Sequence, residues 1–239
     1  LAIDPNLSEA YSALCNYKNT YEYNVVGAET ACKRAVELDP KSPVAHKTYA
    51  KFLYSRGRFE QAIVEIKAAI DIQPVSYRNQ QIYALTLYYA RRYEEAEAQF
   101  KRLIELNPNQ TNFVEGRLVK VLEQQGKDSE AFEYLVRSLI SQKADKETLE
   151  RYKTAFRTSG WRGAVMEQIK TAESNPDPGY FQLACMHAKI GNKDKAFEYL
   201  EKAFGERSFQ ISVLQVEPQF DALRSDSRFA ELTRRVEGK

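Results

Sequence analysis

The sequence predicts an all-α protein built from repeated helical hairpins, and three observations support this prediction. A pattern of small and apolar residues occurs twice at an interval of 34 residues, as Ala62, Ile66, Ala69 and Pro74 and then as Ala96, Phe100, Leu103 and Pro108. Apolar residues elsewhere recur at the spacing of one helix face. The 239 residues include only 10 Gly and 8 Pro, which argues against strands and turns. Because one hairpin cannot bury such a face alone, each copy must be covered by the next.

The composition limits the classes of partner. Hydrophobic residues make up 43% and charged residues 28% of the chain, which is ordinary for a globular protein. The net charge of +2 gives no reason to expect nucleic acid or an anionic membrane as a partner. No apolar run approaches the roughly 18 residues of a membrane-spanning helix, so we expect no membrane insertion. We expect a cytoplasmic location, or an extracytoplasmic one if the chain is joined to a membrane anchor.

The first half of the chain holds the most regular copies. Three hairpins are predicted there, at residues 8–40, 43–74 and 77–108. The second helix of the first hairpin is in register with the later copies, because Ala28 lies 34 residues before Ala62. Gly57 marks the turn of the second hairpin, where positive φ favours glycine. Pro74 and Pro108 end the second helices, since proline cannot continue the hydrogen-bond ladder.

The second half of the chain departs further from the pattern. Its three hairpins are predicted at residues 111–142, 146–173 and 179–205. Gly126 marks the turn of the fourth, and Gly191 the turn of the sixth, which regains the pattern. The fifth is the most divergent. Residues 206–239 are predicted to form short helices that cap the exposed end of the array.

The three cysteines, Cys15, Cys32 and Cys185, are too few for a disulfide framework or a zinc site. Cys15 and Cys32 could face each other across the first hairpin. A disulfide between them and two small buried core residues are both compatible with the sequence.

The repeated residues resemble the tetratricopeptide repeat, a 34-residue helix–turn–helix with small residues at fixed places and a closing proline. The likeness covers residues 1–205 and is closest in the second and third copies. The tryptophan usual near each repeat start is absent, its place taken by Tyr11, His46, Gln80 and Tyr180. The resemblance implies a right-handed α–α superhelix whose concave groove is lined by the first helix of each copy.

A narrower resemblance concerns the segments 21–24, 159–163 and 221–229. They look like features of the C-terminal repeat region of bacterial signalling proteins, in which a winged-helix regulator, a Ser/Thr kinase or a nucleotide cyclase precedes the repeats. Residues 1–5 resemble the end of a helix, so we expect that the chain was cut from a longer protein.

The groove is the predicted binding site for a partner. Its residues are Ser12, Asn16, Lys47, Lys51, Tyr54, Arg78, Gln81 and Tyr88. Aromatic rings beside cations and amides suit an extended peptide that carries acidic groups. Tyr54 and Tyr88 lie one period apart and should be neighbours. The carboxylate clamp known from some of these repeats is expected to be absent, because Lys51 and Ile82 replace its two asparagines. The alternative is a solvated helix face.

The sequence offers no catalytic constellation. Its two histidines, His46 and His187, lie at helical spacing, and no nucleotide-binding or zinc-protease motif occurs. We therefore predict no catalytic residue, no metal ligand and no cofactor. Arg91–Arg92 and Arg234–Arg235 are too sparse for a stripe that tracks phosphates, so no nucleic acid is expected.

These observations predict a non-catalytic scaffold, not an enzyme, that binds a peptide or protein segment in the concave groove. Two alternatives stay open. The repeats could serve as the dimerisation or regulatory module of a larger signalling protein, a homo-oligomer joined through the fifth hairpin and the tail. Helical repeats of similar length can also read RNA bases.

Overall fold

A computed structural model of the chain describes residues 7–107 and 112–238, and within these ranges the fold is all-α, as predicted. Pro108 and the segment 1–5, which the sequence analysis interprets as helix ends, lie outside the described residues. The helices are α1 (Ser8–Thr20), α2 (Val25–Leu38), α3 (Pro43–Ser55), α4 (Phe59–Ile72), α5 (Tyr77–Tyr89), α6 (Tyr93–Leu106), α7 (Asn112–Gln124), α8 (Asp128–Ser141), α9 (Lys146–Glu173), α10 (Tyr180–Lys189), α11 (Lys193–Gly205) and α12 (Ser227–Val236), with two 3-10 helices, Phe209–Val213 and Pro218–Leu223.

Serine caps start the first helix of the second and third hairpins. The Ser42 hydroxyl accepts a hydrogen bond from the Ala45 amide at 3.2 Å, and the Ser76 hydroxyl accepts one from the Asn79 amide at 3.4 Å. Each cap satisfies one of the backbone amides that a helix start leaves without a partner. The two serines lie 34 residues apart, so the sequence period is also the structural period.

The turn inside each of four hairpins has one residue in the left-handed region. Gly57, Gly126 and Gly191 have φ values of 72°, 69° and 80°. Arg91 occupies the same place in the third hairpin with a φ of 61°. Only glycine adopts this conformation without steric cost. The turn glycines predicted from sequence are therefore confirmed. Arg91 is one of four described non-glycine residues at positive φ, together with Tyr23, Lys143 and Arg207.

The helices divide between two compact units. The first unit consists of the described residues 7–91, 203–217 and 224–238, and the second of 92–107, 112–202 and 218–223. In the first unit α1 packs on α2 and α3, and α3 packs on α4 and α5. In the second unit α7 packs on α6 and α8, and α9 packs on α8 and α10.

The repeated positions form the core of both units. Ala62, Ile66 and Ala69 of α4 have no exposed surface. Phe100 and Leu103 of α6, one period later, are 1% and 2% exposed. Burial of a large apolar side chain stabilises a fold by about 1.5–3 kcal/mol. The small residues let neighbouring helices approach closely while the large ones fill the space between them.

The predicted fifth hairpin is a single kinked helix, α9, with no loop between its two arms. Its two arms meet at Ser159 and Gly160, whose backbones are not helical, and Gly160 has a φ of 57°. The Glu123 carboxylate of α7 anchors the second arm by accepting a hydrogen bond from Trp161 Nε1 at 2.7 Å. Lys189 of α10 lies 2.6 Å from the other oxygen of Glu123. One buried carboxylate thus joins three elements of the second unit.

Residues 206–239, the tail, are predicted from the sequence to cap the exposed end of the array. In the structure, part of this segment packs on helices of the first unit. Residues 209–213 pack on α1 and α3 within the first unit. The ring of Phe204 stacks on Tyr23 at 5.1 Å, and the Arg235 guanidinium lies 4.3 Å from the same ring. Apolar tail residues are buried there because the first helices expose an apolar face to them.

The structure contains a disulfide between Cys15 and Cys32, whose Cα atoms are 5.2 Å apart. It joins α1 to α2. The sequence is compatible with a disulfide or with two unbonded core cysteines, and the structure has the disulfide. Cys185 is buried and takes no part in this disulfide. In the described part of the chain, no helix combines the length and apolarity that crossing a membrane requires.

Reduction of the disulfide should destabilise the first unit. The bond closes a loop between residues 17 positions apart, and loops of this size contribute about 3 kcal/mol. We expect dithiothreitol to lower the denaturant midpoint of the wild-type chain. A Cys15→Ala/Cys32→Ala variant should show the low midpoint with or without the reductant. Equal midpoints for reduced and oxidised wild type would contradict the prediction.

Glu97 should make the second unit sensitive to acid. Burial raises the pKa of Glu97, but hydrogen bonds from Lys101, Lys127 and Gln125 outweigh burial and lower this pKa to about 2, from an ordinary value of 4.5. Because the pKa is depressed in the folded chain, this carboxylate contributes its full stability above pH 4.5 and loses it as the pH falls towards 2.

We therefore expect Glu97→Gln to lower the free energy of unfolding at neutral pH and to flatten its pH dependence between about 4.5 and 2. Urea unfolding at a series of pH values measures both effects. Glu94→Gln, an exposed position on the same helix, is the control and should leave the profile unchanged. Parallel profiles for wild type and Glu97→Gln would refute this role.

Candidate functional site

The structure buries half of the predicted partner-binding residues. All eight belong to the first unit. Four of them, Ser12, Tyr54, Gln81 and Tyr88, are between 1% and 6% exposed. The rings of Tyr54 and Tyr88 both pack against Tyr89, at 5.1 and 5.3 Å, so the two predicted neighbours belong to one aromatic cluster. These four side chains offer little surface to a partner.

A residue of the tail contacts the Tyr88 side chain. The Tyr88 hydroxyl donates a hydrogen bond of 2.5 Å to Glu217 Oε1, and Glu217 has no exposed surface. A hydrogen bond to a buried carboxylate is among the stronger polar interactions in a protein. Tyr88 is therefore a residue that fixes the tail, a role that the sequence analysis missed.

Further polar contacts hold the tail on the ends of the first helices. Gln215 Nε2 donates to the Ser55 carbonyl at 2.8 Å. Arg56 Nη2 donates to the Ser212 carbonyl at 3.4 Å and to Asn19 Oδ1 at 3.1 Å. Residues 212–217 thus cover the C-terminal ends of α1, α3 and α5. The one signal in the sequence was the concentration of apolar residues in this segment.

Three of the predicted residues form a basic cluster on the uncovered part of the same helices. The α3–α5 basic cluster consists of Lys47 and Lys51 of α3 and Arg78 of α5. The lysines are four residues apart and so share one helix face. Among the described residues, none of the three cations has a carboxylate within ion-pair distance. Elsewhere cations are commonly paired, as in the 2.7 Å contact between Arg58 and Glu29.

The charges of this cluster act on one another. Burial lowers the pKa of Lys51, and the nearby charges of Arg78 and Lys47 lower it further. Burial also lowers the pKa of Lys47, with an added contribution from Arg78. Both directions are those expected of cations that repel one another in a partly desolvated place.

Two of the other predicted residues, Gln81 and Asn16, are neutral amides. Arg78 Nη1 donates to Gln81 Oε1 at 3.4 Å, so Gln81 positions the guanidinium from a buried site. Asn16 is exposed, and its amide donates to the Ser12 carbonyl at 3.3 Å. Asn16 and the basic cluster are the predicted binding residues that stay accessible.

The two histidines lie in packing contacts between helices. His46 Nδ1 lies 2.6 Å from Glu65 Oε2, and its Nε2 lies 3.0 Å from the Pro40 carbonyl. His187 is 5% exposed and lies 3.3 Å from Glu173 in the second unit. Each histidine joins neighbouring elements of its own unit.

Comparison with known proteins identifies the repeat. Residues 22–103 match the family described as anaphase-promoting complex, cyclosome, subunit 3, and residues 178–207 match the family described as tetratricopeptide repeat. The solved structure of PilF from Pseudomonas aeruginosa is similar with a TM-score of 0.56 at 20% identity, over 87% of this chain and 95% of that one.

The chain is a tetratricopeptide-repeat protein.

Two further solved structures are similar at lower scores. YrrB, described as a tetratricopeptide-repeat protein with an unusual peptide-binding site, has a TM-score of 0.48 and 12% identity, over 97% of this chain and 94% of that one. MamA has a TM-score of 0.48 and 18% identity, over 85% and 92%. Among curated protein sequences, none matches this chain.

Tetratricopeptide repeats generally mediate contacts between proteins, and proteins built from them are typically non-catalytic scaffolds. In this repeat protein the accessible polar surface of the first helices is basic, while the aromatic surface beside it is covered by residues 203–217.

Loss of the Tyr88 hydroxyl should loosen the tail. Tyr88→Phe removes a hydrogen bond to a buried carboxylate, and such bonds contribute about 1.5–3 kcal/mol. We expect a lower free energy of unfolding in urea and faster proteolytic cleavage within residues 206–217. Tyr83→Phe removes a hydroxyl that is partly exposed and should change neither quantity. Equal stability of both variants would show that this bond does not hold the tail.

Proposed function

We propose that this chain is a non-catalytic interaction protein that binds an acidic segment of a partner protein at the α3–α5 basic cluster. The observation that carries the proposal is the set of three cations, Lys47, Lys51 and Arg78, on two helices of the first unit, none of which has a carboxylate within ion-pair distance in the described part of the chain.

Electrostatics favours an acidic occupant. Three partly desolvated like charges raise the free energy of the unbound chain, and carboxylates placed among them would relieve the repulsion. Arg78 can bind a carboxylate through two parallel N–H groups, while Lys47 and Lys51 act as point charges. Complementary charge of this kind accelerates association and selects the partner.

The neighbouring helix supplies apolar and amide surface. Helix α1 packs on α3 and carries the exposed Asn16. Tyr17 of α1 and Tyr21, the residue that follows α1, are 51% and 48% exposed, and their rings lie 5.7 Å apart. Tyrosine rings offer contact area at low entropic cost, which suits the non-acidic residues of a bound segment.

The proposed surface is smaller than the groove predicted from sequence. It keeps Asn16, Lys47, Lys51 and Arg78 and leaves out the buried side chains, because Tyr88 and its neighbours already have a partner in the tail. The segment that fits it is therefore short, with acidic residues spaced to meet α3 and α5.

The disulfide favours an oxidising compartment over the cytoplasm expected from sequence, since reducing compartments keep thiols free. Dimerisation, RNA binding and membership of a bacterial signalling protein stay predictions, because no observation on this structure favours them.

Charge reversal of the cluster tests the proposal. We expect Lys47→Glu/Lys51→Glu/Arg78→Glu to weaken binding of a fluorescein-labelled, glutamate-rich decapeptide roughly tenfold or more, because attraction becomes repulsion. Fluorescence anisotropy at fixed ionic strength measures the dissociation constant. A glutamine-rich decapeptide of the same length reports the contribution of charge.

A matched variant controls for net charge. Lys41→Glu/Arg102→Glu/Lys193→Glu changes the total charge equally at exposed positions elsewhere in the chain and should bind like wild type. Circular dichroism checks that both variants keep their helices. If both triple variants lose binding equally, or if neither does, the cluster is not the binding site.

A further inference from the structure

The disulfide of the first hairpin stands where the second hairpin has an apolar core contact. Cys15 and Cys32 are the eighth residues of α1 and α2. The eighth residues of α3 and α4 are Ala50 and Ile66, and both of these have no exposed surface. The second hairpin thus has a large apolar side chain in its core at the position where the first hairpin has a covalent bond.

Helix α1 buries little apolar surface of its own. Its buried residues are Ser8, Ser12 and Cys15, none of which has a large apolar side chain. Its larger apolar residues, Tyr11 and Leu14, are only half-buried. Because a helix in a protein is held mainly by the burial of its apolar face, packing alone docks α1 weakly on α2 and α3.

Polar contacts strengthen the docking of α1 only modestly. Ser8 Oγ donates to the Ala35 carbonyl at 2.8 Å, and Arg56 Nη2 donates to Asn19 Oδ1 at 3.1 Å. Such hydrogen bonds replace bonds to water, so each contributes little net stability. Ser12 Oγ is buried without a hydrogen-bond partner among the described residues, which disfavours the docked position. The disulfide is therefore the strongest attachment of α1.

We propose that this disulfide is a redox switch for the partner-binding surface, an inference that rests on the proposed function. Asn16 and Tyr17, which follow Cys15 in α1, are exposed and supply the amide and aromatic part of that surface. The α3–α5 basic cluster lies on helices that the bond does not join. In the oxidised chain α1 is docked and the surface is complete, whereas in the reduced chain α1 is released and only the basic cluster remains.

The reductant of this switch is a dithiol. One thiolate of the dithiol attacks a sulfur of the bond, the other cysteine leaves as a thiolate and takes up a proton, and a mixed disulfide forms. The second thiol of the reductant then displaces the remaining cysteine. Two electrons and two protons pass to the chain, and the dithiol becomes a disulfide.

Burial of the bond couples its reduction to the movement of α1. Cys15 and Cys32 are 1% and 0% exposed, so a dithiol reaches the sulfurs only when α1 opens away from α2. A partner segment that contacts both α1 and the basic cluster holds α1 in place. By linkage, a partner that binds the oxidised chain more tightly also makes the disulfide harder to reduce.

Two variants separate the bond from the packing that it replaces. Cys15→Ala/Cys32→Ile gives the first hairpin the pair that the second hairpin has at these positions. It should dock α1 without a disulfide and bind the labelled, glutamate-rich decapeptide equally with and without dithiothreitol. Cys15→Ala/Cys32→Ala lacks both the bond and the large side chain, so it should resemble the reduced chain under either condition.

Hydrogen–deuterium exchange of the full chain, read by mass spectrometry, measures the docking of α1 separately from binding. We expect dithiothreitol to accelerate exchange in residues 8–20 roughly tenfold or more and to leave residues 43–55 unchanged. Fluorescence anisotropy with the decapeptide should show about tenfold weaker binding by the reduced chain, because the contacts of α1 are lost.

Several results would overturn the switch while the oxidised chain still binds the decapeptide. They are unchanged exchange in residues 8–20 on reduction, equal acceleration in residues 43–55, unchanged affinity after α1 has loosened, and a loss of binding by Cys15→Ala/Cys32→Ile in dithiothreitol, where there is no bond to reduce. If the oxidised chain does not bind the decapeptide, the proposed function fails and its regulation fails with it. The two failures are therefore distinguishable.

Discussion

The structure depends on one constraint: a helical hairpin with an apolar face cannot cover that face itself. In the first unit the second helices meet this constraint through the repeated core of Ala62, Ile66 and Ala69, which have no exposed surface. The first hairpins meet it through the end of α11 and through the tail: Phe204 of α11 contacts Tyr23, and Glu217 of the tail contacts Tyr88. The same need for cover thus accounts both for the regular stack and for the irregular segment that lies on it.

The tail divides the surface of the first helices into parts with different chemistry. Over the C-terminal ends of α3 and α5 it buries the aromatic residues and leaves a cleft with three arginines. Away from these ends, Lys47 and Lys51 stay partly accessible and Arg78 is exposed, and among the described residues none of the three has an acidic partner within ion-pair distance. This cluster concentrates positive charge in a chain whose net charge is only +2. The proposed acidic partner is therefore argued from local arrangement and not from total charge.

Several departures from the repeat pattern distinguish this chain from a regular array of hairpins. Arg91 stands where the second, fourth and sixth hairpins have glycine, and the Gly160 kink replaces the loop of the fifth hairpin. Glu123 in the second unit accepts a hydrogen bond from Trp161, and Glu217 in the first unit accepts one from Tyr88. Buried charged groups are costly unless they are satisfied, so each of them ties specific elements together and helps to select one arrangement of a repetitive chain.

The sequence alone determined the all-α repeat, its 34-residue period and the turn positions, because these follow from apolar spacing and from glycine and proline, which act within one hairpin. It also identified the basic residues of α3 and α5, since a helix face can be read at intervals of four. Only the tertiary structure decided that Tyr54, Gln81 and Tyr88 are buried, that Cys15 is bonded to Cys32, and that Arg56, Arg91 and Arg224 share a cleft. The hydrogen bond between Tyr88 and Glu217 spans 129 residues, and the cleft brings Arg224 beside Arg56; no local pattern encodes such long-range contacts. The disulfide spans only 17 residues, but the sequence is equally compatible with two unbonded thiols.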